Sequence, residues 1–306
     1  MKKFIFSLVV LFAFAGQDLL AQYNSVAKQN RVYETKEVER VNDDGDIEII
    51  EVKEEVAGDQ YGNAAGNQYD LAEDGAFEGN TVAILHLYTG EGFDFSLPEA
   101  ALKEKGFSVF RWLNAAPPAT ELREKLENAC QLWVISNSNR LLNDEHLAVI
   151  KDFFDSGKGL YIWGDNQPYY SDANFLAENI LGTTMNGNTT GDHTVGILGD
   201  QGSDSGITDG HLISTGIANI YEGITIATIT PNQDLEPLIY GSAGNLVAAV
   251  YEKEEKRAII DGGFTRLYYK WDTAGTGRYV KNAAAWLANF ERFGEMVYKK
   301  EDFERE

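Results

Sequence analysis

The chain is poor in basic residues, in histidine and in cysteine. It sets 26 Lys and Arg against 48 Asp and Glu, for a formal charge of −22. Nucleic acids and anionic membrane surfaces are held by basic patches, so a balance this negative argues against both as partners. The single cysteine, Cys130, excludes an intramolecular disulfide. It stands between a helix pattern and an apolar strand pattern, and reads as a small buried hydrophobe rather than a reactive thiol. His86, His146 and His211 occur singly, and His146, in the first turn of a helix, is expected to be exposed. Glycine is plentiful, yet Gly90-Glu91-Gly92 and Gly262-Gly263 lack the third glycine and the Lys-Ser/Thr ending of a phosphate-binding loop. No internal repeat occurs, and no apolar run after residue 15 is long enough for a membrane helix.

What the amino end does contain reads as an export signal. Lys2 and Lys3 precede the apolar run Phe4–Ala15, too short to span a bilayer comfortably, and Leu19-Leu20-Ala21 makes an acceptable cleavage site before Gln22. A signal peptide over 1–21 implies a periplasmic or secreted protein with no membrane insertion after cleavage, and no cysteine follows to carry a lipid anchor. Residues 22–79 form an acidic, partly disordered leader, with fifteen Asp and Glu against five Lys and Arg from Gln22 to Asn80. Gly62-Asn63-Ala64-Ala65-Gly66-Asn67 reads as flexible tether, because small polar residues bury too little area to offset ordering entropy. Val32–Lys36 and Ile47–Val52 alternate around Asn42-Asp43-Asp44-Gly45, which predicts a hairpin; alone it is marginal in water unless it docks on something.

The globular pattern occupies 80–292, followed by a charged tail over 293–306. Gln131–Leu181 organises it. Leu132–Ile135 is a short run rich in Trp, Val and Ile, as a strand buried on both faces would be. Asn143 can cap a helix in which Leu147, Ile150 and Phe154 recur at helical spacing, and Gly157 ends it before the strand Gly159–Trp163. Strands at Val82–Tyr88 and Phe107–Trp112 and helices at Leu97–Lys105, Ala119–Ala129 and Ala173–Leu181 continue the alternation. This predicts an α/β fold, a flavodoxin-like, doubly wound, mostly parallel sheet. Thr183–Gly210 is polar and too long for an ordinary connection. From Ile224 the pattern turns to β, expected as antiparallel strands at one sheet edge, and Tyr279–Phe290 is an amphipathic helix.

From Thr81 to Phe290 the chain resembles the class I glutamine amidotransferase-like superfamily, most closely its divergent exported branches and the trehalose-utilisation-type proteins. The resemblance is carried by Cys130–Asn166, by Gly210–Ile217 (GHLISTGI) and by Lys256–Leu267 (KRAIIDGGFTRL). In that superfamily the strand matching Gly159–Trp163 leads into an elbow holding a nucleophilic cysteine, with a histidine and an acid after a later strand. Here the elbow reads Gly164-Asp165-Asn166, the His-bearing segment reads Asp261-Gly262-Gly263-Phe264-Thr265-Arg266, and Cys130 lies one βα unit too early. Covalent amide chemistry needs a polarisable nucleophile and an adjacent base, so no catalytic residue is assigned.

Ligands of open α/β sheets gather outside the carboxyl ends of the strands, which nominates two loops. One carries Asp165, Asn166, Tyr169 and Tyr170; the other carries Arg266, Trp271 and Asp272. Planar rings beside carboxylates, amides and a guanidinium suit a sugar or a peptide. The structural alternative has Asp165 capping the following helix and Arg266 paired with Asp272 beneath packed rings. Asp192-His193 with Asp200, Asp204 and Asp209 fits a solvated acidic loop better than a divalent-cation site, so neither a metal nor a cofactor is expected. Together these readings describe an exported, non-catalytic binding or scaffold protein that recognises an envelope protein or glycan. The alternative is a carbohydrate-active hydrolase or isomerase using Asp165 as acid or base.

Overall fold

The computed structural model describes residues 23–271, 274–290 and 292–293. The expected export signal, candidate Asp272 and the tail beyond 293 lie outside the described residues. β1 (Tyr33–Val41) and β2 (Ile47–Glu55) pair antiparallel around a turn in which the Asn42 side chain accepts from the amides of Asp44 and Asp46. β3 (Thr81–His86), α1 (Ser96–Glu104), β4 (Ser108–Leu113), α2 (Ala119–Leu126), β5 (Gln131–Ile135), α3 (Asp144–Asp155), β6 (Gly159–Trp163) and α4 (Ser171–Leu181) follow in strict alternation. Next come β7 (Met185–Thr190), β8 (Thr194–Val195), β9 (Gly206–Ile207), β10 (Ile220–Tyr221), β11 (Thr225–Ile229), β12 (Glu236–Tyr240), β13 (Leu246–Lys253) and β14 (Lys256–Asp261). The helix α5 (Thr276–Leu287) closes the fold.

The central sheet runs β4-β3-β5-β6-β14-β13-β12-β9. Its first five strands are parallel, in the flavodoxin-like order 2-1-3-4-5 when counted among themselves, and β13, β12 and β9 extend it antiparallel. β14 is thus the fifth parallel member as well as the start of the antiparallel edge. β11 does not join this sheet: it pairs with β7 from the polar stretch, with Ile226, Ala227 and Ile229 buried and Thr225 and Thr228 half-buried around a register shift. The buried runs of β5 and β6 explain their central places, since every residue of both strands is buried.

Helices cover both faces. α2, α3 and α4 pack through Leu122, Ile150, Phe153 and Leu176 on one, and α1 and α5 through Leu102, Val280, Ala284 and Leu287 on the other. Asn143 caps α3 by accepting from the amides of Glu145 and His146, while His146 Nδ1 accepts from Asn143 N at 3.2 Å. The other ring nitrogen of His146 donates to Pro117 O at 2.7 Å, so this histidine is buried, not exposed, because both nitrogens have partners inside. Gly159 lets α5 lie directly against the start of β6; a Cβ there would collide with the Leu287 carbonyl oxygen. Among the described residues no helix is long and apolar enough to cross a bilayer.

The leader differs from its expectation beyond the hairpin. Gly62–Asn67 is not a tether: Asn63 Oδ1 accepts from the amides of Ala218 and Asn219 at 2.8 and 2.7 Å. Leu71, Ala72 and Phe77 enter the core on the α1/α5 side, and Leu71 N donates to Asn282 Oδ1 at 2.7 Å. Asp70 is fully buried against Arg278 at 2.6 Å, Lys281 at 2.7 Å and Lys105 at 2.9 Å. Composition alone undervalues such a segment, because its anchoring comes from satisfying main-chain and cationic groups rather than from apolar area.

Candidate functional site

β6 delivers the bend after Trp163 to the carboxyl end of the sheet, where Gly164 N donates to Asp261 O of β14 at 2.8 Å. A Cβ at Gly164 would strike Met185 Sδ and stand 3.1 Å from Tyr170 Cβ, so position 164 must be glycine. Asp165 therefore carries the first side chain after β6. It is 1% exposed, and its Oδ1 has no hydrogen-bond partner. Burial pushes its carboxyl well above the usual range, against the opposing pull of the Asn166 amide, Thr265 and Arg266, and with the push of Asp261. Asp165 does not cap α4. That helix begins at Tyr170 without a side-chain cap, and Ser136 Oγ accepts instead from the amides of Asp172 and Ala173.

Aromatic rings roof this end of the sheet. Phe93 stacks on Tyr268 with centroids 4.2 Å apart, Tyr88 meets Tyr169 at 4.9 Å, and Tyr88 meets Phe264 at 5.4 Å. Tyr88 and Phe93 carry no signal in the sequence; Tyr268 belongs to the nominated loop that carries Arg266. Burial pushes the Tyr88 hydroxyl up to about 12, aided by Glu91, so it stays a neutral donor. His86, at the end of β3, lies edge-on to Phe93, and burial with the nearby Arg111 lowers it to about 4. It is a neutral ring rather than a base primed for proton transfer.

Arg266 pairs with Asp261, and both are fully buried; Asp272, the partner expected from the sequence, lies outside the described residues. Asp261 Oδ2 also accepts from Tyr279 OH at 2.9 Å and Tyr161 OH at 3.3 Å, while Arg266 donates to Tyr221 O at 3.2 Å and lies over the Trp163 and Tyr279 rings. Burial alone would lower the Arg266 guanidinium; Asp261 and the two phenols outweigh it and hold it charged. This network lies beneath the rings and leaves Asp261 bound to a guanidinium and two phenols rather than open to a ligand.

The remaining candidates divide. Asn166 Oδ1 accepts from Thr225 Oγ1 at 3.0 Å and fastens the bend to β11. Tyr169 and Tyr170 are half-buried on either side of it, Tyr169 under the roof and Tyr170 against the α2–α4 face. Trp271 leaves the crevice altogether: it is buried against Gly277 in the first turn of α5. Cys130 sits at the amino end of β5, its thiol donating to Thr81 O at 3.3 Å, and burial pushes it up to about 11. A full strand, roughly 17 Å, separates it from the Asp165 bend.

The Asp192–Asp209 stretch does not gather into a cation site. Asp192 is held by Lys270 and by Tyr221 OH at 2.6 Å, and Asp200 by Arg31 at 2.6 Å. Among the described residues the one acidic trio within reach of a shared ion is Asp70, Asp74 and Glu104, where Lys105 and Lys281 already supply the positive charge. Sequence reasoning missed Glu222 and Ser242, which take His193 out of the acidic loop in which the sequence places it. Buried Glu222 accepts from Ser242 Oγ at 2.7 Å, Ser242 N at 2.6 Å and His193 N at 3.1 Å. Ser242 Oγ and Glu222 both approach the same His193 nitrogen, at 3.3 Å, so the trio clamps two loops, with the serine hydroxyl donating to the glutamate.

No protein-family model matches the chain. No curated protein matches it either. Solved structures do show a distant likeness. An exo-β-1,4-mannosidase from Opitutaceae bacterium strain TAV5 aligns at 11% identity and a TM-score of 0.41 over 69% of this chain. The chain spans about a third (36%) of that enzyme's length. A ThuA-like protein from Parabacteroides merdae aligns at 10% identity and a TM-score of 0.44, over 69% of this chain and 90% of its own.

Proposed function

We propose that the chain is an exported, non-catalytic binding or scaffold protein on an amidotransferase-like α/β fold, recognising a partner protein or a glycan at the cell envelope. The observation that carries this reading is the state of the bend after β6. Its side chain is an aspartate buried under rings, its cysteine lies at the far end of the sheet, and the histidine at the end of β3, two strands away, is lowered to about 4 by burial and Arg111. The thiol and the imidazole stand at opposite ends of the strands, so they do not form a nucleophile–base pair at the bend. The half-buried Tyr88 and Tyr169 leave ring edges at the surface that suit contact without chemistry.

The test pairs a binding screen with an activity screen on the purified chain. Envelope glycans and envelope extracts should raise its melting temperature, while glutamine and chromogenic glycosides should be left intact. Silence in the first together with turnover in the second would reverse the reading. One observation favours the alternative, a carbohydrate-active hydrolase or isomerase: Asp165 Oδ1 and the neighbouring Thr265 Oγ1 are both buried without partners. In that case Asp165→Asn abolishes turnover and leaves the fold intact.

A further inference from the structure

The hairpin β1–β2 stands apart from the body of the protein. Its nine paired residues per strand extend about 30 Å at ordinary strand rise. Every residue of the ladder is exposed on both faces except Ile50, which is half-buried. Its ties to the body are at its root, where Tyr69 OH donates to Glu34 at 2.6 Å and Arg31 lies 3.8 Å from Glu55. Two-stranded ribbons of this kind are marginal in water, and both long edges present unpaired main-chain groups.

The side chains say what would cover it. From Tyr33 to Glu55 the arm holds ten carboxylates and three basic residues, a net of −7. The ladder sets like charges directly opposite each other, Glu37 across from Glu51 and Glu34 across from Glu54. Such pairs destabilise a sheet, and only the second is relieved, by Lys36 at 2.8 Å from Glu54. Aliphatic residues alternate with the acids: Val41, Ile47 and Ile49 are 65%, 69% and 67% exposed at the tip. The two edges are not equivalent. β1 offsets three glutamates with Lys36 and Arg40, whereas β2 sets Glu48, Glu51, Glu54 and Glu55 against Lys53 alone.

We infer that the β2 edge of this arm is a docking strand for an extended, cationic segment of a partner protein. The segment joins as a third strand, with Lys or Arg at alternate positions on the face of Glu48 and Glu54 and aliphatic residues on the opposite face, beside Ile47 and Ile49. A second copy of the chain fits poorly, since two arms of −7 repel. The proposal rests on the reading of the protein as a binding module and gives that module its partner chemistry and its surface.

The experiment uses the whole mature chain and a capped nonapeptide alternating lysine and valine. Two comparison peptides replace lysine by glutamate or place proline at the central valine. Binding is read by fluorescence anisotropy at low salt and the contact by amide hydrogen exchange. The lysine peptide should bind at least tenfold more tightly than either comparison and slow exchange within Ile47–Glu55. Glu48→Gln and Glu54→Gln together should weaken it about fivefold, in keeping with two exposed ion pairs. Glu124→Gln and Glu178→Gln, on exposed positions of α2 and α4, should change nothing. The inference is overturned if both double variants lose binding equally, if the proline peptide binds as well, if protection falls outside the arm, or if the chain alone dimerises through Ile47–Glu55. The activity screen above is independent of all of these, so turnover would remove the non-catalytic reading without touching the arm.

Discussion

Replacing Asp70 by asparagine should unfasten the leader from the domain. Asp70 is 0% exposed and faces three cations: Arg278 at Oδ1, and Lys281 and Lys105 at Oδ2. Asparagine keeps the shape and removes the charge, leaving those cations partly uncompensated in a site closed to water. Breaking a buried pair from one side costs about 3–5 kcal/mol. The lower end applies here, because each cation keeps other partners: Lys105 has Asp74 and Ala72 O, Lys281 has Glu104, and Arg278 has two main-chain carbonyls. A loss of about 3 kcal/mol corresponds to a melting point lower by about 6 to 12 °C. Urea unfolding at neutral pH, followed by the buried Trp133, Trp163 and Trp286, would measure it. The pH dependence gives a second constraint. Burial raises the Asp70 carboxyl, but Lys281, Arg278 and Lys105 outweigh it and hold the group below the usual carboxylate range. A depressed carboxyl contributes stability above its unfolded pKa and loses it as pH falls through the folded one, so the gap between native and variant chains should close below about pH 4. A gap under 1 kcal/mol at pH 7, or one unchanged at pH 2, would refute the claim that this charge anchors the leader.

Asp165→Asn should act in the opposite sense. The Asp165 carboxyl is raised by burial, so its ionisation in the unfolded chain draws stability down as pH rises above 3.8; the variant escapes this, and its melting point should match or exceed the native one at pH 8 and converge with it near pH 4. A variant less stable at pH 8 than at pH 4, relative to the native chain, would count against the buried-acid account. Cys130, pushed up to about 11, should react with a thiol reagent at pH 8 at least tenfold more slowly in the folded chain than in urea. Equal rates would mean that its thiol is open to solvent.

The parallel core was legible because its signals are local and redundant. β5 and β6 are runs of residues that bury on both faces, α3 announces itself by Asn143, and Gly157 marks its end with a φ of +92°. Periodicity plus the parallel rule then leaves few topologies. The site was legible in place but not in pairing. Arg266 near an aspartate suggests an ion pair, with Asp272 as the expected partner; the pair among the described residues is with Asp261, five residues upstream on β14. Sequence distance does not rank two carboxylates when one sits at a strand end pointing inward. Trp271 was drawn to the crevice by its neighbours Tyr268 and Tyr269, whereas the first turn of α5 takes it away.

The leader is where composition misleads in both directions, and the two halves explain each other. Leu71 and Phe77 are few among acids and glycines, yet they reach the core because Asn63, Asp70 and Asn282 satisfy the buried polar groups around them. The hairpin has more β-branched residues than that second half, and it stays outside. Its strands are exposed on both faces apart from Ile50, and its like-charge pairs oppose closure onto an already acidic domain. Apolar content therefore does not decide which part of the leader packs. Charge pairing does: Asp70 finds three cations inside, while Glu37 and Glu51 find only each other. A segment whose carboxylates lack internal partners must take its cations from outside, from salt or from another chain.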